Sequence, residues 1–559
     1  MVNHQPTGDW MSVNLFGTDG IRGKVNLTIV DEEEAITQLI EQREISPPVL
    51  RLIGESLGRC AEVGSKEVPR VVVGWDERPA NNLLANHLTV GLNIAEFEVI
   101  HIGLCATPAL HYAAILFEAE FGCMITASHN PVEDSGLKIF SKYGFKTTPE
   151  FELELSRNAL SLSQEEREID SIDNERLSQP TISHDLAEWS KINHPKWLTQ
   201  RYQILTDLIQ QDLSNATKIR QPLLIDSSKG VGRLWLADWL SCNGIQAVEV
   251  SDEAAALNNN CGAGDFSPTQ EWTFEEARKS PHILINQLPQ CEAGTLVAAA
   301  LDGDGDRCLL IETTNTGFRV IDGDKIADTF LNCVTRFDIN WHLAASIESD
   351  LSLTTNLQRY PKPITVSETA VGDRWLSFKL SRNEITNFMT GSSLPGVVGV
   401  EDSGHIVLAS PHPTQNESWS LVGDGAMTMV AYLLASTTAD KSGLMQRGWK
   451  QRQSVKNVDR SKWNGKNELS DIVERSFLEK LSGFGKVTQW SRTTVPGEPN
   501  LMLIYCLYRG AKLSIGVRNS GTQAKISVSA RLEHGGDNHG IQQAIDEACD
   551  LLVKHMINH

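Results

Sequence analysis

RVVVGWDERPANNLLANHLTVGLNIAEFEVIHIG, residues 70–103, carries one complete α/β unit. Arg70–Gly74 holds three valines in succession, the short β-branched run of a strand that a sheet buries on both faces. Trp75–Pro79 interrupts it with polar residues and a proline. Asn81–Phe97 then spaces its apolar residues as a helix does, and Glu98–Gly103 returns to a strand. The theme recurs. Phe121–Thr126 is a strand that runs into the polar turn Ala127–Pro131. Pro222–Asp226 is a strand followed by a helix over Gly230–Leu240, and Leu296–Leu301 is a strand that ends in an acidic loop. Gly396–Val400 and His405–Leu408 read as two strands around Glu401–Gly404. Such alternation specifies an α/β architecture.

The C-terminal part changes style. Leu501–Tyr508, Lys512–Val517 and Lys525–Leu532 alternate as successive antiparallel strands, closed by a helix from Ile541. Two polar stretches, Ser161–Glu188 and Lys450–Ser470, read as an insertion and an interdomain linker. With 559 residues the chain has room for three or four domains. The economical division is an α/β domain over 1–195, a second over 196–312, a third over 313–440 and an α+β domain over 450–559.

Composition narrows the partners. Fifty Lys and Arg against 71 Asp and Glu give a formal charge of −21, a field that repels nucleic acid and anionic lipid. An anionic substrate would need locally gathered cations. Met1–Gly17 has no signal-peptide core, no apolar run approaches a membrane span, and the ten Cys show no C-x-x-C pair. The expectation is a cytoplasmic protein with free thiols, a small-molecule substrate, no nucleic acid or membrane partner, and a monomeric or homodimeric state.

Four polar loops carry the chemistry. Thr126-Ala-Ser-His-Asn-Pro131 places Ser128 at a strand end beside His129, ten residues before Lys138, an arrangement for a nucleophile or phosphate carrier. Asp302-Gly-Asp-Gly-Asp-Arg307 sets three carboxylates at alternate positions on a tightly curving backbone, where they can converge on one hard cation. An EF-hand is excluded, since Arg307 and Thr313 stand where it needs Gly and Glu. Without a cation the three would repel one another, and three protein ligands leave room for a phosphoryl oxygen; Mg²⁺ suits them. Glu401 and Ser403 sit on a third turn able to reach vicinal sugar hydroxyls. The fourth, Arg518-Asn-Ser-Gly-Thr522 with Lys525 behind it, offers a guanidinium, hydroxyls and backbone amides to a phosphate dianion.

In this order the loops resemble those of the α-D-phosphohexomutase family, and the resemblance spans nearly the whole chain. Phe16-Gly-Thr-Asp-Gly-Ile-Arg-Gly23 resembles its N-terminal motif, whose Arg, here Arg22, reaches the reaction centre. By that likeness Ser128 is the phosphorylated residue. Asp302, Asp304, Asp306 and Ser128 are the magnesium ligands. Arg307 follows them, and Gly372, Asp373, Arg374, Glu401, Ser403 and His405 form the substrate loops. Arg518, Asn519, Ser520, Gly521, Thr522 and Lys525 grip the non-reacting phosphate. Lys138 stands at the general-base position, where a depressed pKa would suit proton transfer; His129 is the second candidate. The family implies four domains around a central cleft, three of them similar α/β domains with mixed sheets. It implies Mg²⁺ and a hexose 1,6-bisphosphate intermediate that also serves as activator. Phospho-Ser128 would convert hexose 1-phosphate to hexose 6-phosphate and back.

Gln523, Ala524 and Ser527 depart from the pattern, where the family often has Glu-Pro and then an Arg, so one cationic contact is missing and Lys525 is the candidate substitute. The runs around Ser128, Val371–Arg374, Glu401 and Gly423-Asp-Gly425 resemble those of the phosphoglucosamine mutase branch, and Leu257–Asp265 and Val320–Ala327 also resemble those of the phosphoacetylglucosamine mutases, which implies an amino-sugar phosphate, glucosamine phosphate foremost. Phosphomannomutase/phosphoglucomutase specificity is the alternative, and a Mg²⁺-dependent sugar phosphatase the non-mutase one.

Overall fold

A computed structural model describes residues 13–17, 19–61, 68–167, 179–216, 219–381, 389–439, 441–519 and 524–557. The chain is an α/β protein with mixed sheets that ends in an antiparallel layer under helices. It divides into two compact units. One comprises Met1–Gly323, Ser381–Pro395 and Ser403–Thr437; the other comprises Asp324–Leu380, Gly396–Asp402 and Thr438–His559.

In the first unit, a seven-stranded sheet runs Glu44–Ile45, Ile21–Val25, Asp134–Ser141, Phe121–Ile125, Arg70–Trp75, Glu98–Leu104, His184–Asp185. Phe121–Ile125 is parallel to Arg70–Trp75 and antiparallel to Asp134–Ser141. Its carboxyl end therefore lies where strand direction switches, the usual place for a ligand-facing loop in such sheets. Met124 pairs with Lys138, and Arg22 with Gly136. Ser128, Lys138 and Arg22 thus come to one end of one sheet because of register alone. Helices Pro47–Cys60 and Asn81–Ile94 bury Leu50, Leu57, Leu84 and Leu88 against it.

A second sheet of this unit orders Glu271–Thr273, Gly317–Ile321, Cys308–Thr313, Leu296–Leu301, Ile219–Asp226, Ala247–Glu249. Leu296–Leu301 is a fully buried strand of Leu, Val and Ala, antiparallel to Cys308–Thr313, with Leu301 opposite Cys308. The Asp302–Arg307 loop is the turn between them. Strand Ser418–Gly423 pairs antiparallel with both Ile406–Pro411 and Met389–Thr390.

In the second unit, His342–Ser346 is flanked by Thr365–Thr369 and Val397–Val400 in parallel. Five antiparallel strands follow in the order Trp449–Lys456, Lys525–Leu532, Ala511–Asn519, Leu501–Tyr508, Val487–Thr493. Helices Glu468–Phe484 and Ile541–Met556 cover one face, packing Phe477, Leu481, Ile545 and Leu552 on Ile515, Val517, Ile526 and Val528. This leaves the alternate residues of each strand on the other face.

Three sequence expectations change. The helix expected over Gly230–Leu240 is a 3₁₀ turn, Val231–Leu234, followed by a helix at Leu236–Cys242. The break falls at Trp235, whose ring is buried edge-on against His194 with centroids 4.9 Å apart; its backbone leaves the helical region to put it there. The stretch around Ser161–Glu188 contributes an edge strand, His184–Asp185, parallel to Ile100–His101. Lys450–Ser470 is no linker at its start: Trp449–Lys456 pairs along its length with Lys525–Leu532. Edge strands are half solvated, so their polar composition hides them from hydropathy.

Candidate active site

Ser128 is buried and sits in the left-handed backbone region, φ 53°. That conformation is strained for a residue with a side chain and persists only where surroundings over-determine it. Here they do. Its N–H donates to Thr126 Oγ1 at 2.8 Å, and Thr126 in turn donates to Asp76 Oδ2 at 2.6 Å. Arg78 Nη2 donates to the carbonyls of Ser128 (2.8 Å) and Asn130 (2.9 Å), and its Nη1 to those of Pro131 and Asp134. Asn258 Nδ2, from a loop after Ala247–Glu249 of the second sheet, donates to the same Ser128 and Asn130 carbonyls at 2.7 and 2.9 Å. Gly264 lets the neighbouring loop close on this turn, since a Cβ there would lie 2.6 Å from His129 Cβ.

The hydroxyl points at the acidic loop: Ser128 Oγ donates to Asp302 Oδ2 at 2.7 Å. Asp302, Asp304 and Asp306 are all buried, and each offers a carboxylate oxygen within 4.8 Å of the others. Lys138 Nζ donates to Asp304 Oδ2 at 2.6 Å and to Asp306 Oδ2 at 2.8 Å, and lies 3.3 Å from Asp19. Oδ1 of Asp304 and Oδ1 of Asp306 are buried with no hydrogen-bond partner among the described residues. Two orphaned carboxylate oxygens beside a third carboxylate and a hydroxyl are a donor set that fits a hard divalent cation.

The electrostatics follow from burial and these pairings. Burial, then Asp306 and Asp304, push the Asp302 carboxyl up to about 7. Burial would lower the Lys138 ammonium, but Asp19, Asp304 and Asp306 hold it well above the ordinary lysine value. The depressed pKa expected for this residue is thus reversed, because the amine faces three carboxylates. Arg307 foremost, then burial and Arg22, take His129 down to about 3.

The remaining predicted residues fall as follows. Arg22 donates to the Ala127 carbonyl (3.2 Å) and to Asp19, reaching the Ser128 turn. Arg307 N donates to Asp302 Oδ1, and its Nε lies 3.7 Å from Asp302 Oδ2. His405 pairs with Arg307 through a β-bridge, its Nε2 3.5 Å from Asp306 Oδ2. Ser403 precedes it on the same turn. In the second unit, Glu401 accepts from Gly372 N at 2.6 Å, joining the two predicted substrate loops. Asp373 opens the helix Asp373–Leu380, with Arg374 over the Trp375 ring. Arg518 pairs with Glu498 (2.6 Å) and Glu348 (3.1 Å). Asn519 spends its amide on the carbonyls of Arg460 and Trp463. Lys525 begins the next strand. Ser520, Gly521 and Thr522 lie outside the described residues.

A family model for the phosphoglucomutase/phosphomannomutase alpha/beta/alpha domain I matches residues 13–166. A phosphoglucosamine mutase of Exiguobacterium sibiricum is 27% identical over 555 residues, 97% of this chain and 97% of the relative. One of Ruegeria sp. is 28% identical over 423 residues, 75% of this chain and 78% of the relative. Over nearly its whole length the chain is similar to phosphohexomutases. A solved structure, pp63/parafusin (phosphoglucomutase) from Paramecium, shares the fold with a TM-score of 0.58 at 15% identity, covering 100% of this chain and 97% of that one. Within the phosphohexomutase fold, sequence reasoning missed Arg78, Asp76 and Asn258. They act on backbone carbonyls, which leave no mark in a motif. Thr107, whose Oγ1 donates to Asp304 Oδ2, was likewise missed. No helix among the described residues is long and apolar enough to cross a membrane.

Proposed function

We propose that the chain is a phosphohexomutase that interconverts hexose 1-phosphate and hexose 6-phosphate through phospho-Ser128, with glucosamine phosphate as its substrate. The observation that carries this reading is the Ser128 hydroxyl, 2.7 Å from Asp302 at the mouth of a buried three-carboxylate loop. The names of the relatives, phosphoglucosamine mutases, support the sugar. The reading takes the chain as the four domains delimited above, acting on a small molecule in the cytoplasm.

Phospho-Ser128 transfers its phosphoryl group to the free hydroxyl of the bound monophosphate. The resulting 1,6-bisphosphate turns over and returns its other phosphate to Ser128. Arg78 and Asn258 hold the turn so that Oγ keeps its aim through both transfers. Glu401 and Ser403 bind the sugar hydroxyls in either orientation, and Gly372, Asp373, Arg374 and His405 border them. Arg518, Asn519, Ser520, Gly521, Thr522 and Lys525 hold the phosphate that is not reacting. Arg22 and Arg307 balance charge on the transferring group. Lys138, once it has given up its own proton, accepts that of the hydroxyl, with His129 the second candidate. Mg²⁺ on Asp302, Asp304, Asp306 and phosphorylated Ser128 would supply charge neutralisation at the phosphoryl group and weaken the carboxylates' hold on the Lys138 proton.

Phosphorus NMR tests this. Purified protein with Mg²⁺ and trace hexose 1,6-bisphosphate is offered the 1-phosphates of glucosamine, N-acetylglucosamine, glucose and mannose separately. Conversion of glucosamine 1-phosphate to the 6-phosphate is the expected result. Conversion of another sugar alone overturns the substrate, and release of inorganic phosphate without isomerisation overturns the mutase.

A further inference from the structure

The face of the C-terminal sheet turned away from its helices packs Leu501 and Leu503 on Ile347, and beside them it is basic and rich in hydroxyls. Register decides its content. Arg452, Ser454 and Lys456 stand opposite Ser529, Ser527 and Lys525. Arg518 stands opposite Ser527 from the other side. The intervening residues, Val455, Ile526, Val528 and Val517, face the helices.

One feature of this face is unfavourable for the protein alone. Lys456 and Lys525 are directly paired across antiparallel strands, where like charges repel. Arg452 Nη1 and Arg518 Nη2 both lie 3.1 Å from one atom, Glu348 Oε1. Among the described residues Glu348, Glu498 and Glu401 balance only part of the charge of Arg452, Lys456, Arg518 and Lys525. The lowered pKa of Lys525 has the same origin, burial first and then Arg452, Arg518 and Lys456. Glu348, Arg452, Arg518, Ser527 and Ser529 border a small opening, and the Ser454 and Ser527 hydroxyls meet at 2.8 Å. Guanidinia converging on one carboxylate oxygen, with serine hydroxyls beside them and excess positive charge, match the oxygens of a phosphate dianion.

We propose that Arg452 and Lys456, on the strand beside the phosphate loop, bind the substrate's non-reacting phosphate together with Arg518 and Lys525, Glu348 being the internal anion that the phosphate displaces. The assignment of this phosphate to a hexose phosphate rests on the function proposed above; the anion site itself does not. It supplies from a neighbouring strand the guanidinium that position 527 lacks, since Ser527 lies between Arg518 and Ser454 in the sheet.

The test uses the full chain, titrated with inorganic phosphate and assayed with glucosamine 1-phosphate. Arg452→Gln weakens phosphate binding and raises KM about tenfold, with kcat within about twofold, the loss of one charge-assisted contact. Arg452→Lys falls between, because an ammonium keeps the charge but not the fork. Lys480→Gln removes a cation paired with Glu547 elsewhere in this unit and leaves both quantities unchanged. Thermal unfolding of each variant separates misfolding from lost binding. If Arg452→Gln binds phosphate as wild type does while Arg518→Gln loses it, the proposal is overturned and the mutase reading stands. If no hexose phosphate turns over but Arg452→Gln still weakens phosphate binding, the anion site stands and the mutase reading falls.

Discussion

Arg78 Nη2 and Asn258 Nδ2 share the same two acceptors, the carbonyl oxygens of Ser128 and Asn130, each at 2.7–2.9 Å. One donor comes from the loop after Arg70–Trp75, the other from the loop after strand Ala247–Glu249 of the second sheet, and between them they fix a turn that left-handed Ser128 would not hold alone. Arg78 is also anchored to Asp76, with both side chains buried. Arg78→Lys keeps the charge but cannot span four carbonyls. Turnover is expected to fall about a hundredfold with KM nearly unchanged, the effect of a nucleophile displaced by an ångström or so. Asn258→Ala removes a neutral donor and should cost about tenfold less in kcat than Arg78→Lys. Steady-state kinetics decide; an unchanged kcat in both variants removes their positioning role.

Ser128→Ala leaves the clamp in place, since Arg78 and Asn258 grip backbone. The variant should fold and bind hexose phosphate, yet incorporate no phosphate from a labelled 1,6-bisphosphate and lose about a thousandfold or more in turnover. Intact-mass measurement after bisphosphate exposure is the check: a mass gain of one phosphoryl group in the variant would place the phosphorylated residue elsewhere.

How much of this was legible beforehand depends on what each residue acts through. Ser128, the three aspartates and Lys138 are read from side-chain chemistry at fixed spacing. The α/β order follows from strands such as Arg70–Trp75 whose apolar runs have no competing reading. Arg78 and Asn258 could not be found that way, because their partners are carbonyls that every residue possesses. Edge strands Trp449–Lys456 and His184–Asp185 escaped for a related reason: solvated on one side, they carry the composition of loops. The raised pKa of Lys138 needed the fold, which sets Asp19 beside Asp304 and Asp306 although the chain separates them by nearly three hundred residues.

The orphaned Oδ1 atoms of Asp304 and Asp306 predict how the protein responds to metal. Mg²⁺ should raise the thermal midpoint by mass action, and chelation should abolish turnover reversibly. Asp304→Asn keeps the shape and a hydrogen-bond acceptor for Lys138 but removes one charged ligand. Its midpoint should lose most of the Mg²⁺-dependent increase in differential scanning fluorimetry. An increase equal to wild type would mean that the ion binds elsewhere.

A second buried charge group adjoins the acidic loop, with Gly425 N donating to the Gly305 carbonyl at 3.0 Å. Asp424 caps helix Gly425–Ser436, accepting from Ala426 N and Met427 N. It also accepts from Arg201 Nη2 at 2.5 Å and pairs with His194 Nε2 at 3.0 Å. Burial opposes ionisation, but Arg201 and then His194 hold the Asp424 carboxyl down to about 2. A depressed carboxyl contributes stability above its unfolded pKa and loses it as pH falls through the folded one, so this contribution disappears between about pH 4 and 2. Asp424→Asn leaves Arg201 buried without its counter-charge, a loss of about 3–5 kcal/mol at neutral pH. Denaturant unfolding at pH 7 measures it; a loss under about 1 kcal/mol would show that the site relaxes to let water reach Arg201.

His101 gives a pH dependence of opposite chemistry. Its ring is buried edge-on against Trp75, and Nε2 lies 2.7 Å from Thr89 Oγ1. Thr89 already donates its proton to the Ala85 carbonyl, so Nε2 must carry the hydrogen and donate to the hydroxyl oxygen. A second proton would go on Nδ1 within the sheet's packing, and burial accordingly lowers the imidazole to about 4. The unfolded chain takes up that proton near pH 6.5 and the folded chain does not. Stability is therefore complete above about 6.5 and falls as pH drops toward 4, by up to about 3 kcal/mol for this one residue. His101→Gln retains an N–H for Thr89 and cannot titrate. Across pH 6–4.5 the variant should take up about one proton fewer on unfolding than wild type, read from the slope of unfolding free energy against pH. Buried His87, His282 and His412, each lowered to about 4, add to that slope, and Asp226 and Asp302, raised to about 7, subtract from it in both proteins alike, so the difference between the two slopes is the measure. Identical slopes in the two proteins would mean that His101 is charged in the folded state, and the tautomer deduced from Thr89 would be wrong.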